Sequence, residues 1–323
     1  MDRNICQTIK KLRLSKNISQ SNLAKTLGVS TQSIRKWENY KALPDIMLLP
    51  KIANYFEVSI DDLFMGCTNS KDVLSADIQE NVSTNSAAWD GISSKDWTPT
   101  ALPAWGVYIP DEEALHFLDD LAGKKVLEIA CGDGQSLVYC GKNDAKELWG
   151  LDISEVQIQK AQARLMENNL NANLYLSPME INPGIPEHYF DYVYSIYGIG
   201  WTQDLDKTIS LVAKYLKTNG TFIFSWDNPM LPCIDTINGQ YVLNRSYVDE
   251  RRIRRIKKGE TIVLTNWKLS SYINTLSKHG FKVEQLIEDS SETGEELVFN
   301  DKYYSEHKAQ LIHHTFIIKA RKL

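Results

Sequence analysis

Apolar and polar positions along this chain follow two different rhythms. Up to residue 64 the apolar side chains recur every three or four positions, the period of a helix face. Ile5, Ile9 and Leu12 open the series, and Ser19 to Leu27 continues it behind a serine cap. Thr31 to Glu38, Ile46 to Phe56 and Ile60 to Phe64 complete it. Gly28-Val29-Ser30 is a tight turn between the second and third helices, with glycine where a left-handed backbone is needed, and Pro44 marks a break. Leu23, Val29, Ile34, Trp37 and Leu48 read as core. From Ala87 onward short apolar runs alternate with helical patterns. Strands are expected at 125–130, 147–152, 173–177, 190–196, 220–226, 281–288 and 314–321, and helices at 111–121, 135–142, 155–168, 204–217 and 269–279. That alternation argues for a doubly wound α/β sheet. Residues 67–86 are polar and turn-rich and read as a linker with room for one helical turn. The expected division is therefore an all-α domain at 1–66, a linker at 67–86 and an α/β domain at 87–323.

One stretch of the α/β part carries chemistry. Val126-Leu127-Glu128-Ile129 runs into the small-residue turn Ala130-Cys131-Gly132-Asp133-Gly134, which opens the helix at Gln135. Leu148-Trp149-Gly150-Leu151-Asp152 then reads as a second strand ending in a carboxylate. Strand, glycine turn, helix and acid-ended strand form the nucleotide-binding layout, with the acid placed for ribose hydroxyls. A dinucleotide site would want a third glycine and no carboxylates near a pyrophosphate. Here Glu128 and Asp133 flank the turn, which suits a cationic ligand end instead.

The turn resembles motif I of the class I S-adenosylmethionine-dependent methyltransferases, with Ala130 in place of the first glycine. Further segments carry the likeness over nearly all of 87–323: Leu151-Asp152-Ile153-Ser154, Ser177-Pro178-Met179-Glu180, Phe190 to Tyr197, and Leu216-Lys217-Thr218-Asn219-Gly220. The resemblance implies a Rossmann-like sheet with an antiparallel terminal strand, and S-adenosylmethionine as donor, leaving as S-adenosylhomocysteine. It implies donor contacts from Glu128, Ala130, Gly132 and Gly134, from Asp152 and Ile153 at the ribose, from Met179 and Glu180 beside the adenine, and from Ser195 on the strand under the methionine moiety.

Residues 4–64 resemble the Cro/lambda-repressor-like family, also called the xenobiotic-response-element family, on Ile18-Ser19-Gln20, Leu23-Ala24, Leu27-Gly28-Val29-Ser30, Ile34, Trp37-Glu38-Asn39 and Pro44. The resemblance implies a helix-turn-helix that binds DNA as a homodimer. Thr31, Gln32, Ser33 and Lys36 would face bases or backbone, Arg35 would stand beside them, and Gln20 would meet the backbone. A retained dimerisation or docking module is the competing reading.

The acceptor is harder to read. No N-P-P-Y-type motif follows the fourth expected strand, and Asn228-Pro229-Met230-Leu231 and Pro232-Cys233 follow the fifth, so the helix-turn-helix does not make this a DNA methyltransferase. Aromatics gather instead where a small-molecule acceptor would sit: Trp89, Trp97, Trp105 and Tyr108 before the first strand, and Tyr197, Trp201 and Trp226-Asp227-Asn228-Pro229 near the strand ends. Tyr197 and Asp227 are the candidate catalytic groups, with Trp89, Trp105, Trp201 and Asn228 as pocket. Methyl transfer is an in-line displacement in which positioning can supply much of the rate. The alternatives are a regulator that senses S-adenosylmethionine or a metabolite without turnover, and a methyltransferase acting on nucleic acid or protein.

Composition adds little but is consistent. Residues 1–65 hold ten Lys and Arg against six Asp and Glu, whereas the whole chain has a net charge of −5. A basic small part and an acidic large part suggest two jobs. The basic run Arg251 to Lys258 with Glu260 to Leu264 reads as a hairpin about Lys258-Gly259. Five scattered cysteines without a C-x-x-C pair suggest reduced thiols, a cytoplasmic location and no metal site. No apolar run is long enough for a membrane helix.

Overall fold

The computed structural model describes residues 3–63 apart from 17, 40, 57, 59, 61 and 62, and then 74–93, 102–250, 252–289 and 299–323. The expected helix at 60–64, Trp97, Arg251 and the first part of the supposed linker lie wholly or largely outside these residues. The chain forms two compact units, Met1–Val73 and Leu74–Leu323.

In the first unit the helices are α1 (Arg3–Ser15), α2 (Gln20–Leu27), α3 (Thr31–Glu38) and α4 (Leu49–Phe56), the last preceded by a 3-10 turn at Ile46–Leu48. Ser19 Oγ accepts from Asn22 N–H and Ser30 Oγ from Ser33 N–H, which starts α2 and α3, and Gly28 at φ 74° ends α2. Ile9, Leu23, Leu27, Ile34 and Trp37 bury into one core. A buried carboxylate ties the helices together. Glu38 on α3 accepts from Arg13 of α1 at 2.6 and 3.0 Å and from the Gln20 amide of α2 at 2.7 Å. Burial alone would raise its pKa. The Arg13 and Gln20 hydrogen bonds outweigh that and hold it below its ordinary value.

The second unit is built on a seven-stranded sheet: β1 (Lys125–Ile129), β2 (Glu147–Asp152), β3 (Ala172–Leu176), β4 (Phe190–Ser195), β5 (Leu216–Asp227), β10 (Phe281–Ile287) and β11 (Thr315–Lys322). Their order is β10-β11-β5-β4-β1-β2-β3. β11 runs antiparallel to both its neighbours, and the pairs from β3 to β5 are parallel. The helices are α5 (Ala76–Ser93), α6 (Glu112–Leu115), α7 (Gln135–Lys142), α8 (Glu155–Glu167), α9 (Leu205–Tyr215), α10 (Leu269–Lys278) and α11 (Glu306–Ala309). Two hairpins, β6 (Ile234–Ile237) with β7 (Gln240–Leu243) and β8 (Arg252–Lys257) with β9 (Glu260–Thr265), are inserted after β5.

Two expectations need correction. The helix expected over 111–121 stops after one turn, because His116 turns left-handed at φ 54° and the buried Glu112 carboxylate takes the Trp105 indole N–H and the Leu118 N–H. The stretch taken as linker is helical from residue 76 and part of the second unit. Polarity misled here: Asn81 and Asn85 are buried on the same face as Ala88 and Ile92. Asn85 acts as a side-chain strand partner for β9, donating to Val263 C=O and accepting from Val263 N–H, both at 2.7 Å. Truncating Asn85 to Ala orphans the buried Val263 N–H, while the Val263 carbonyl keeps the Gln203 amide at 3.1 Å, so the urea midpoint of the second unit should fall by the equivalent of about 1–2 kcal/mol.

Candidate functional site

The glycine turn after β1 is a chain of left-handed residues: Ala130 at φ 56°, Gly132 at 52° and Gly134 at 75°. Each glycine has its own reason. A Cβ on Gly134 would lie 3.0 Å from Ala161 Cβ, so its absence lets α8 approach α7. A Cβ on Gly132 would meet nothing nearer than 3.9 Å, which leaves the backbone open to a ligand. Ala130 pays a strain that glycine would not.

Asp152, at the end of β2, is buried and bridges two loops. It accepts from Gly132 N–H and from Ser154 N–H, each at 2.9 Å. Burial raises its pKa against the pull of those backbone bonds. Each oxygen keeps lone-pair capacity for a ribose hydroxyl. Ser154 Oγ caps α8 by accepting from Gln157 N–H and donates to Asp90 of α5 at 2.6 Å. Ser86 donates to the Ile153 carbonyl. The result is a cleft of about 360 Å³ at the ends of β2 and β3, lined by Ser83, Ser86, Asp90, Ile153, Ser177 and Pro178 among others. The α5 half of this wall was not anticipated. Its signal was the helical spacing of Asn81, Asn85, Ala88 and Ile92, hidden because asparagine counts as polar.

Other expected donor contacts take different places. Glu180 is buried and accepts from Thr202 Oγ at 2.9 Å and from Gln203 N–H at 2.6 Å, so it fixes the turn before α9 rather than the adenine edge. Met179 is buried in the main core. Ser195 is fully buried and donates to the Ile129 carbonyl at 2.9 Å, stitching β4 to β1. Glu128 lies beneath the turn, accepting from Ser136 Oγ at 2.6 Å and Tyr194 OH at 3.3 Å. Burial raises its pKa to about 8, against those two bonds, so it is neutral near pH 7.

At the ends of β4 and β5 lies a second cluster. Tyr197 holds a left-handed φ of 51°, a rare conformation for a bulky residue, and its hydroxyl is hydrogen-bonded to Thr315 Oγ1 at 2.7 Å. Tyr304 OH donates to both Asp227 oxygens, at 2.8 and 3.0 Å. Burial raises the Asp227 pKa, opposed by the Tyr304 and Tyr197 hydrogen bonds. His314, 1% exposed, packs its ring on Tyr108 and Tyr304, and neither ring nitrogen has a partner among the described residues. Burial lowers its pKa to about 4, so it is neutral. Trp201 sits edge-on to both Trp89 and Trp226. Trp105 and Asn228 do not join this pocket. Trp105 is fully buried on Phe117 and Glu112, and the Asn228 side chain is spent on Glu288 and Met230 N–H. Thr315, Tyr304 and His314 were missed because they sit near β11, far along the chain from Asp227.

On α3, Thr31, Gln32, Arg35 and Lys36 are exposed along one face, with Ser33 half-buried against Ser30. The Gln20 amide is instead turned onto Glu38, which takes its N–H donor away from a phosphate. Among the described residues no group of three His, Cys, Asp or Glu is placed to hold a metal ion.

Comparison with known proteins agrees with this geometry. A helix-turn-helix family model matches residues 9–63, and a methyltransferase domain model matches residues 126–220. The first 60-odd residues are similar to the HTH-type transcriptional activator BcrR of Enterococcus faecalis, 40% identical over 60 residues, 19% of this chain and 29% of that one. The second unit is similar to a ubiquinone biosynthesis O-methyltransferase of Nitrosospira multiformis, 28% identical over 126 residues, 38% of this chain and 52% of that one. The chain thus spans about half or less of the length of these curated relatives. An S-adenosylmethionine-dependent methyltransferase structure from Listeria monocytogenes, described as putative, superposes with a TM-score of 0.51 at 22% identity, covering 66% of this chain and 97% of that one, which is a likeness of fold. The molecule therefore combines a helix-turn-helix domain with a Rossmann-like methyltransferase domain.

Glu128 gives a pH test. The folded protein keeps a proton there that the unfolded chain releases above its ordinary value of 4.5, so stability falls as pH rises from 4.5 to about 8. Glu128→Gln, neutral at every pH, should remove that component. Relative to the unmutated protein, its melting temperature should gain between pH 5 and pH 8.

Proposed function

We propose that this protein transfers the methyl group of S-adenosylmethionine to a small-molecule acceptor and binds DNA as a homodimer through α3, in the cytoplasm. The observation that carries the donor reading is the pairing of the open Gly132 backbone with Asp152 beside the cleft walled by α5. Asp152 would hold the ribose hydroxyls, Ile153 and Pro178 the adenine faces, and the Gly132 backbone the amino-acid end. The bound donor supplies an electrophilic methyl on a sulfonium. The chain's own part would be to hold an acceptor in line and exclude water, a role the clustering of Tyr197, Trp201 and Asp227 at the strand ends supports. The relative named for ubiquinone biosynthesis supports a small-molecule acceptor.

A second reading is favoured by one observation. Tyr197 is bonded to Thr315 and Asp227 to Tyr304, so the acceptor side is filled by its own side chains. A domain kept in that state would sense S-adenosylmethionine without turnover and pass occupancy to the DNA-binding unit. Accumulation of S-adenosylhomocysteine with an extract of small metabolites supports the enzyme; binding without product supports the sensor.

Titration calorimetry should show S-adenosylmethionine binding that Asp152→Ala weakens by about 1–3 kcal/mol, the scale of lost charge-assisted hydrogen bonds. No binding to the unmutated chain overturns the donor reading. Selection from random duplexes should enrich an inverted repeat, because one recognition helix reads only a few base pairs. Gln32→Ala should relax the sequence preference, and Gln20→Ala should act mainly through loosened helix packing, seen as a lower melting temperature. If no sequence is enriched at low salt, the first unit is a docking module.

A further inference from the structure

The basic hairpin β8–β9 places one of its cations in an unusual seat. Lys257 Nζ lies 5.0 Å from the Trp89 ring centroid and 5.1 Å from that of Trp201, within cation–π range of both. The two rings meet edge to face, with centroids 5.1 Å apart and an interplanar angle of 85°, so they form two walls of a cage. The wall continues through Trp226, 5.4 Å from Trp201, and on to Tyr197, 5.6 Å from Trp226. The ammonium thus sits over two rings of the aromatic cluster proposed for the acceptor side. Among the described residues Lys257 makes no ion pair, in contrast with Arg252 and Arg254 on the same strand, which pair with Asp77 and Glu80 of α5. Asp227 and Lys258 are the charged groups within electrostatic range of Lys257, and Arg255 acts with it on Asp227.

Building on the methyltransferase reading, we infer that the acceptor is a cationic amine, and that Lys257 occupies the amine's place in the Trp89–Trp201 cage until the acceptor displaces it. Three arguments converge. The cage selects for positive charge, since ring faces attract cations and offer nothing to an anion. Exchanging one ammonium for another leaves the balance against Asp227 and Lys258 unchanged, whereas a neutral acceptor would strand the cage without its cation. Lys257 can also leave, because it ends β8 at the tip of a two-stranded hairpin, next to Lys258 and Gly259 at φ 51° and 93°. In the transfer itself the acceptor ammonium first gives a proton to the Asp227 carboxylate. The freed nitrogen lone pair then forms the N–C bond as the methyl–sulfur bond breaks, its electron pair staying on sulfur.

The test uses the full-length protein and tetramethylammonium chloride, read by tryptophan fluorescence at constant ionic strength, with neopentyl alcohol as an uncharged probe of similar shape. The unmutated protein should bind the cation weakly. Lys257→Met should bind it about tenfold more tightly, the scale of one well-formed cation–π contact, while Lys257→Arg should not. Trp201→Leu combined with Lys257→Met should lose the gain. Equal affinity of Lys257→Met for the alcohol, or no gain over the unmutated protein, overturns the inference. S-adenosylmethionine calorimetry on the unmutated and Lys257→Met samples separates the two layers. If the donor binds and the cation does not, the cage idea fails alone; if the donor fails to bind the unmutated chain, the methyltransferase reading fails first.

Discussion

The second unit depends on one carboxylate. Asp152 ends β2 and takes N–H groups from the glycine turn of β1 and from the loop before α8, so the loops after β1 and β2 are positioned by one side chain. Ser154 extends the connection to Asp90, which brings α5 in as a third wall. A buried carboxylate is costly unless it is well hydrogen-bonded, and that cost is what makes this arrangement specific: any shift of the loops leaves a charge or an N–H uncompensated. The first unit repeats the principle with Glu38, whose bonds to Arg13 and Gln20 lock α1, α2 and α3 together. In both units a single buried acid fixes the elements that carry the binding face.

The strands and most helices were legible because each is a run with a clear period. The seven strands of the main sheet were anticipated to within a residue or two, apart from β5, which begins earlier than expected, whereas the β6–β7 hairpin was not anticipated at all. There Leu216 pairs with Phe190 and Thr221 with Tyr192, so residues 217–220 bulge from the ladder, with Asn219 at φ 65°. The turn-like composition was real, but the chain used it as a bulge inside a strand rather than as a loop before one. The glycine turn and Asp152 were legible because their spacing is a property of local backbone. Glu180, Ser195 and Asn228 were not, since their partners Thr202, Ile129 and Glu288 are supplied by other elements. The same holds for α5, whose polarity is that of a linker while its asparagines serve as strand partners.

The side proposed for the acceptor shows how inserted segments specialise a common sheet. β8 and β9 contribute Lys257, the chain before β11 contributes Tyr304 and His314, and α5 contributes Trp89. None of these belongs to the sheet's shared scaffold, yet together they enclose the ends of β4 and β5. The donor side is assembled from the scaffold itself, apart from its α5 wall. The proposed donor site is thus read from motifs, and the proposed acceptor site from packing between distant inserts.

Tyr197 carries an evolutionary consequence. Its left-handed backbone is a conformation that glycine holds freely and that costs an aromatic residue about 1–2 kcal/mol. A lineage selected for stability alone would drift toward glycine or asparagine at this position. One that keeps tyrosine is spending foldedness on a hydroxyl and a ring face. The identity of residue 197 among descendants of this protein should therefore separate those still using the pocket from those that retain only the scaffold, a distinction that overall similarity would miss.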